Sequence, residues 1–237
     1  MKKTVNRLLG KFGYRIVKKE TTHSLTSMLT RIASRAPLGI QTVIDVGASD
    51  GRWSKQVMPF YPNANYLLIE ANTVHQAGIT AFASAHPNVQ TVMAVAGDKQ
   101  GEIFFDASDP FGGVASHTHK MGYISLPVIT IDDEIATRNL PAPYLLKLDT
   151  HGFELPILAG ATVMLKQANM LIIESYNFTL HEGALRFHEL CAYLENRGFR
   201  PVDFCEPLYR NDEVFWQFDL CFIRKDRPEF DHNNYQV

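Results

Sequence analysis

The chain has 237 residues, 46% hydrophobic and 20% charged, with a formal net charge of −2. At about 150 residues per domain that length points to one large domain, or one domain with an appendage, and suffices for a sizeable core. The near-average composition excludes a disordered, collagen-like or coiled-coil chain, and the missing basic surplus argues against a dedicated nucleic-acid binder. Cys191, Cys205 and Cys221 are few, odd in number and without metal spacing, so they read as reduced thiols.

The first forty residues are basic, with Lys2, Lys3, Arg7, Lys11, Arg15, Lys18, Lys19, Arg31 and Arg35 against the single acid Glu20. Val5, Leu8, Leu9, Phe12 and Ile16 follow helical spacing, so residues 1–40 form a basic N-terminal helical segment ahead of a domain over 41–237. Such a segment either packs on the domain with its basic face solvated or makes peripheral contact with an anionic membrane surface. Arg7, Lys11 and Arg15 interrupt any signal-peptide apolar region, and no run approaches the roughly 18 apolar residues of a membrane span. A cytoplasmic protein is expected, with the inner face of the membrane as the place where the basic start would act. A second helix is expected over Ser24 to Arg35, with Leu25, Met28, Leu29 and Ile32 inward and Pro37 just beyond its end.

From Gln41 the pattern changes to short apolar runs, TVIDV, NYLLIE, QTVMAV, YLLKLD and NMLIIE, spaced for helical crossovers. Their continuous apolar character suits parallel strands buried on both faces. A helix around Glu182–Asn196 closes at Gly198, and RPVDFCE and EVFWQFDLCFIRK are too close in sequence for a crossover, so they pair antiparallel. The fold class is therefore α/β: an open, mostly parallel sheet with an antiparallel strand at one end and helices on both faces. Between Gly97 and Pro127 the polar, glycine-rich stretch DPFGGVASHTHKMGY reads as a long functional or mobile loop.

Ligands of open α/β sheets bind beyond the carboxyl ends of the strands. The first run is followed by Asp45-Val46-Gly47-Ala48-Ser49-Asp50-Gly51; the dinucleotide fingerprint would need glycine at Ser49 and Arg52 and fails twice. Asp45 is ill placed for a pyrophosphate and well placed for an ammonium or hydrogen-bond donors. The second run ends in Glu70, 23 residues after Gly47, where an acid accepts from both hydroxyls of an adenosine ribose. Together these features point to an adenosine-bearing ligand without a pyrophosphate; the competing readings are a plain glycine turn and a helix-capping Glu70 ahead of Asn72. At the third run's end Asp98, after Gly97, either accepts from an adenine amino group or belongs to a turn. The fourth run reads LLKLDTHGFELPILAGA, with Pro156 in the first turn of the helix that follows. If the first and fourth strands are neighbours, Asp45 and Asp149 share a crevice and require a cationic or donor partner. Glu174, ending the fifth run, points to the same edge.

On IDVGASDG, LLIEAN, VITIDD (Val128–Asp133), LLKLDTHGFELPILAGA with LIIE, and the closing QFDLCFIRK, the chain resembles the FkbM family of S-adenosylmethionine-dependent methyltransferases from Gln41 to Lys225. The resemblance implies a Rossmann-like class I methyltransferase fold with a seven-stranded sheet. It also implies S-adenosyl-L-methionine as donor, S-adenosyl-L-homocysteine as product, and O-methylation, frequently of sugar hydroxyls in glycans or natural products, as in polysaccharide biosynthesis. By that resemblance Asp45 and Gly47 hold the donor's methionine end and Glu70 its ribose. Ala48, Ser49, Gly51, Ala71, Asn72, Gly97, Asp98 and Asp149 complete the expected donor site. Trp53 belongs either beside the donor or in the core.

Where many members carry D-x-E-G-x-E, this chain reads Asp149-Thr150-His151-Gly152-Phe153-Glu154, and Ser49 stands where asparagine is frequent. These departures bear on the base and the acceptor. His151 is the first candidate for the base, because an unperturbed imidazole titrates near pH 6.5, with Asp149 and Glu174 as alternatives. Ser116 and His117 in the loop, and Tyr176, Asn177, His181, Arg210 and Trp216 after the later strands, are the expected substrate contacts. His117, His119 and His181 are read as polar loop histidines rather than metal ligands, so no metal is expected. Two other functions remain open: a donor-binding module without catalysis, and an NAD-dependent oxidoreductase.

Overall fold

In the computed structural model residues 22–35 and 37–235 are described, and the basic helix expected before Thr22 lies outside them. Eleven strands are present among the described residues: β1 (Thr42–Val46), β2 (Asn65–Glu70), β3 (Val89–Met93), β4 (Val95–Ala96), β5 (Gly101–Asp106), β6 (Val114–Ser116), β7 (Ile124–Ile129), β8 (Tyr144–Leu148), β9 (Ala168–Tyr176), β10 (Phe199–Tyr209) and β11 (Phe215–Arg224). Seven of them form the main sheet in the order β10-β11-β9-β8-β1-β2-β3. β1 pairs in parallel with both β2 and β8, while β11 runs antiparallel to β9 and to β10, so β11 is the one reversed strand. Every residue of β1 and β8 is buried, as strands covered by helices on both faces require. The strand order reverses between β1 and β8, and the crevice at their carboxyl ends is where such a sheet binds ligands.

Helix α1 (Leu25–Ala33) starts at Ser24, whose hydroxyl accepts from the Ser27 amide. Its buried face of Leu25, Met28, Leu29 and Ile32 joins the same core as Val43, Leu145 and Ile223. Arg31 forks onto both oxygens of Asp203 on β10. Helix α2 (Arg52–Val57) follows β1, α3 (Gln76–Ala85) follows β2, and α4 (Ile131–Arg138) follows β7. Helices α5 (Glu154–Ala159) and α6 (Thr162–Gln167) lie between β8 and β9, and α7 (Phe187–Glu195) between β9 and β10. The VITIDD run is structural: Thr130 caps α4, and the Asp132 carboxylate accepts from the Val163 and Met164 amides at the start of α6.

Two expectations need correction. Gly97–Pro127 is not one long loop: β5, β6 and β7 join β4 in a second, four-stranded sheet of order β4-β7-β5-β6. Ile103 and Phe105 alternate inward along β5 and pack into the core, and the polar residues between and beyond them masked this half-buried pattern. The helix expected from Glu182 begins at Phe187; Gly183 sits at φ 88° in a turn, and the Arg186 amide donates to Glu189 at the true start. Burial pushes the Cys205 and Cys221 thiols up, which leaves them unreactive. No helix among the described residues is long and apolar enough to cross a membrane.

Candidate active site

Packing alone accounts for the glycines of the first loop. A Cβ on Gly47, at φ 74°, would come within 2.1 Å of the Asp149 carbonyl oxygen, and one on Gly51 within 2.6 Å of the Phe82 ring. Between this loop and the end of β8 lies a cleft. Gly47 and Ser49 line it from the first loop, Glu70, Ala71, Asn72 and His75 from the end of β2, and Val95 and Ala96 from β4. Pro110, Phe111 and Gly113 close one side, and Asp149, Thr150, His151 and Phe153 the other. Ser49 and His151 both hold left-handed backbone, at φ 52° and 51°, a strained conformation that tends to cluster at functional sites.

Glu70 is buried at the cleft wall and ties the loops together: Oε2 accepts from the Ser49 amide and Oε1 from the Asn72 amide, each at 2.7 Å. A carboxylate oxygen accepts more than one hydrogen bond, so this capping role leaves lone pairs for a ligand's hydroxyls. Asp45 lies deeper and does not line the cleft. Its Oδ2 accepts from Ser54 Oγ at 2.7 Å, and the buried Lys147 ammonium stands 3.4 Å from Oδ1 and 3.0 Å from Asp149 Oδ2. The partner that the two aspartates require is thus Lys147, which also donates to the Gly47 carbonyl. Burial disfavours this ammonium, but Asp149 and Asp45 outweigh it and push its pKa up. Asp45 Oδ1 and the Trp53 indole N–H are buried without hydrogen-bond partners.

Ala48, Gly51 and Trp53 are buried and do not line the cleft. Gly97 is pressed against Gly160, where a Cβ would lie 1.9 Å from the Gly97 carbonyl oxygen, so Ala96 rather than Gly97 or Asp98 faces the cleft.

Asp149, His151 and Glu174 lie together, offering ligand atoms within 4.8 Å of one another. Tyr176 Oη and Gln217 Nε2 both donate to Glu174. His151 Nε2 is 2.8 Å from the Phe111 carbonyl, which only accepts, so Nε2 carries a proton. His151 Nδ1 is 2.8 Å from Tyr176 Oη, whose own hydrogen is spent on Glu174, so Nδ1 carries one as well. Burial opposes this imidazolium, but the hydrogen bond and charge of Glu174, with Asp149, push its pKa up to about 9. His151 thus differs from the unperturbed imidazole on which its candidacy as base rested. Burial also works against the Asp149 carboxylate, yet Lys147 and His151 hold it below the ordinary range. The neighbouring Asp219, in register with Glu174 across β11 and β9, is pushed up to about 7 by burial and by Asp149.

Of the expected substrate contacts, Tyr176 enters this cluster directly. Trp216 stacks on Phe178 with ring centroids 5.0 Å apart and meets Tyr176 edge-on at 5.9 Å. Arg210 lies 5.4 Å from the centre of the Phe178 ring and pairs with Asp212. Asn177 Nδ2 donates to the Phe215 carbonyl and so braces the β11 start. His181 packs over Gly152, where a Cβ would come within 2.5 Å of its Nε2. Ser116 and His117 do not line the cleft: Ser116 Oγ is engaged in a turn with Thr118, and the His117 ring lies 6.3 Å from Phe153. His117, His119 and His181 do not assemble into a metal-ligating group among the described residues. Sequence reasoning missed His75, Phe111, Phe178, Gln217 and Asp219. Gln217 and Asp219 share one face of a strand beside the one that ends near Glu174, and that alternation was the available signal.

The model of the methyltransferase FkbM domain matches residues 43–201. The chain belongs to the FkbM family of methyltransferases. A curated relative, the hexuronic acid methyltransferase AglP of Haloferax volcanii, is 34% identical over 77 residues, 31% of this chain and 31% of that protein. The match thus spans about a third of the relative's length. The crystal structure of methyltransferase FkbM from Methylobacillus flagellatus KT aligns with a TM-score of 0.54 and 16% identity, over 83% of this chain and 48% of that one. At that identity the likeness speaks for the fold.

Proposed function

We propose that this family member is an O-methyltransferase whose acceptor is a sugar hydroxyl of a glycan, nucleotide sugar or related metabolite. The observation that carries the reading is Asp149 on the wall of the Glu70 cleft, with Glu174 within 4.8 Å of it and Tyr176 between Glu174 and the Trp216–Phe178 stack. S-adenosyl-L-methionine supplies a methyl group already activated on a sulfonium. The residues present suit that donor. Glu70 keeps lone pairs for the ribose hydroxyls, and Gly47 and Asp149 line the same cleft from the first loop and the end of β8.

An alcohol must lose its proton as its oxygen takes up the methyl group. Glu174 is pinned by Tyr176 and Gln217, whereas Asp149 binds Lys147 through Oδ2 and leaves Oδ1 at 4.0 Å from His151. Asp149 is therefore the base in this reading. Its lowered pKa is tolerable, because a hydroxyl becomes strongly acidic as the bond to carbon forms. His151, as a cation, orients Glu174 and the Phe111 backbone. The flat faces of Trp216 and Phe178 suit the C–H face of a sugar ring.

The test is a screen of glycosides for methyl transfer, with Asp149→Asn as control. The variant should lose about 10²–10⁴ in turnover, the span of a general base, while keeping its affinity for S-adenosylhomocysteine. Undiminished turnover would remove Asp149 as base. The cationic His151 in place of an acid also favours a second reading, a donor-binding module without catalysis. Transfer to any acceptor rejects that reading.

A further inference from the structure

Three consecutive carbonyls, those of Asp109, Pro110 and Phe111, are each held by a different side chain of the cleft. Asn72 Nδ2 donates to Asp109 O at 3.3 Å, His75 Nε2 to Pro110 O at 2.7 Å, and His151 Nε2 to Phe111 O at 2.8 Å. These residues form a strap between β5 and β6 of the second sheet, whereas the side chains that hold it follow β2 and β8 of the main sheet. Pro110 and Phe111 line the cleft, so the strap is its outer wall. The Phe111 side chain is 60% exposed, with the Arg52 guanidinium 5.1 Å from its ring centre.

We propose that His75 is a positioning residue that couples the donor side of the cleft to this strap. Nε2–H is committed to the Pro110 carbonyl, and on the other side of the ring Ser49 Oγ stands 3.3 Å from Nδ1. The Ser49 amide in turn donates to Glu70. A continuous line of polar contacts, Glu70–Ser49–His75–Pro110, therefore runs from the ribose acid to the outer wall. A ligand that engages Glu70 stiffens the loop on which His75 leans, and His75 holds the wall over it. The donor half of this inference rests on the function proposed above; the strap contact does not.

The test compares His75→Leu, which removes both contacts, with His75→Gln, which retains a donor and an acceptor. Two rates are read: chymotryptic cleavage after Phe111 in the folded protein, and dissociation of bound S-adenosylhomocysteine. His75→Leu should raise both on the order of fivefold, the equivalent of one net hydrogen bond. His75→Gln should restore both toward wild type, and saturating S-adenosylhomocysteine should suppress the cleavage. Unchanged cleavage in His75→Leu, or the same increase in both variants, would overturn the proposal. Should the wild type bind no S-adenosylhomocysteine, the donor reading falls while the cleavage rates still judge His75.

Discussion

His151 should keep its second proton well beyond neutrality, and this has a measurable consequence for stability. Burial works against the charge, but Glu174 and Asp149 raise the pKa from 6.5 to about 9. Because the folded value lies above the unfolded one, the protonated ring stabilises the fold. That contribution is complete below pH 6.5 and is lost as pH rises through about 9. At 1.36 kcal/mol per unit of pKa it amounts to about 3 kcal/mol. His151→Gln removes the titration while keeping a side chain able to donate to the Phe111 carbonyl. Denaturant unfolding of both proteins across that pH window should show the wild type losing about 3 kcal/mol more than the variant. Carbon-13 NMR of the ring should place the titration directly. A midpoint at or below 6.5, with parallel stability curves, would refute the reasoning and return His151 to candidacy as a base.

Lys147→Met would strand Asp45 and Asp149 without their shared cation. Breaking a buried ion pair costs about 3–5 kcal/mol, so unfolding at neutral pH should show a loss of that size; a near-neutral change would mean that water replaces the ammonium. In Gly47→Ala the new methyl meets the Asp149 carbonyl and the backbone is left at positive φ. It should lower the melting temperature and weaken S-adenosylhomocysteine binding together, and an unperturbed variant would show that the loop is free to move. Both nitrogens of His151 are committed to hydrogens, so EDTA should leave turnover unchanged. An absolute requirement for a divalent cation would reassign Asp149, His151 and Glu174 as its ligands.

The strands that build the cleft were legible because strands buried on both faces are written as unbroken apolar runs. Asp45, Glu70, Asp149 and Glu174 stood at or near their carboxyl ends, and the pairing of β1 with β8 brought Asp45 and Asp149 to one lysine. The second sheet was hidden for the opposite reason. Strands β5, β6 and β7 are short and half-exposed, β7 contains Pro127, and along these three only Ile103, Phe105, Ala115 and Val128 mark the buried face. The protonation of His151 was illegible because it depends on a carbonyl 40 residues earlier and a phenol 25 residues later. His75 was missed because a histidine after a strand is ordinary until the strap it holds is seen. The loop glycines, by contrast, said less than their spacing promised, since contacts with Asp149 and Phe82 already require them.

The central claim, that the cleft at the β1–β8 switch point receives an adenosine donor through Glu70, is tested most directly by calorimetry. S-adenosylhomocysteine and NAD would be titrated into the wild type, Glu70→Ala and Glu70→Gln, with each variant's fold verified by its melting curve. The account predicts micromolar binding of S-adenosylhomocysteine to the wild type, binding weakened in Glu70→Gln and lost in Glu70→Ala, and none of NAD. Undiminished affinity in the folded variants, or tighter binding of NAD, would contradict it.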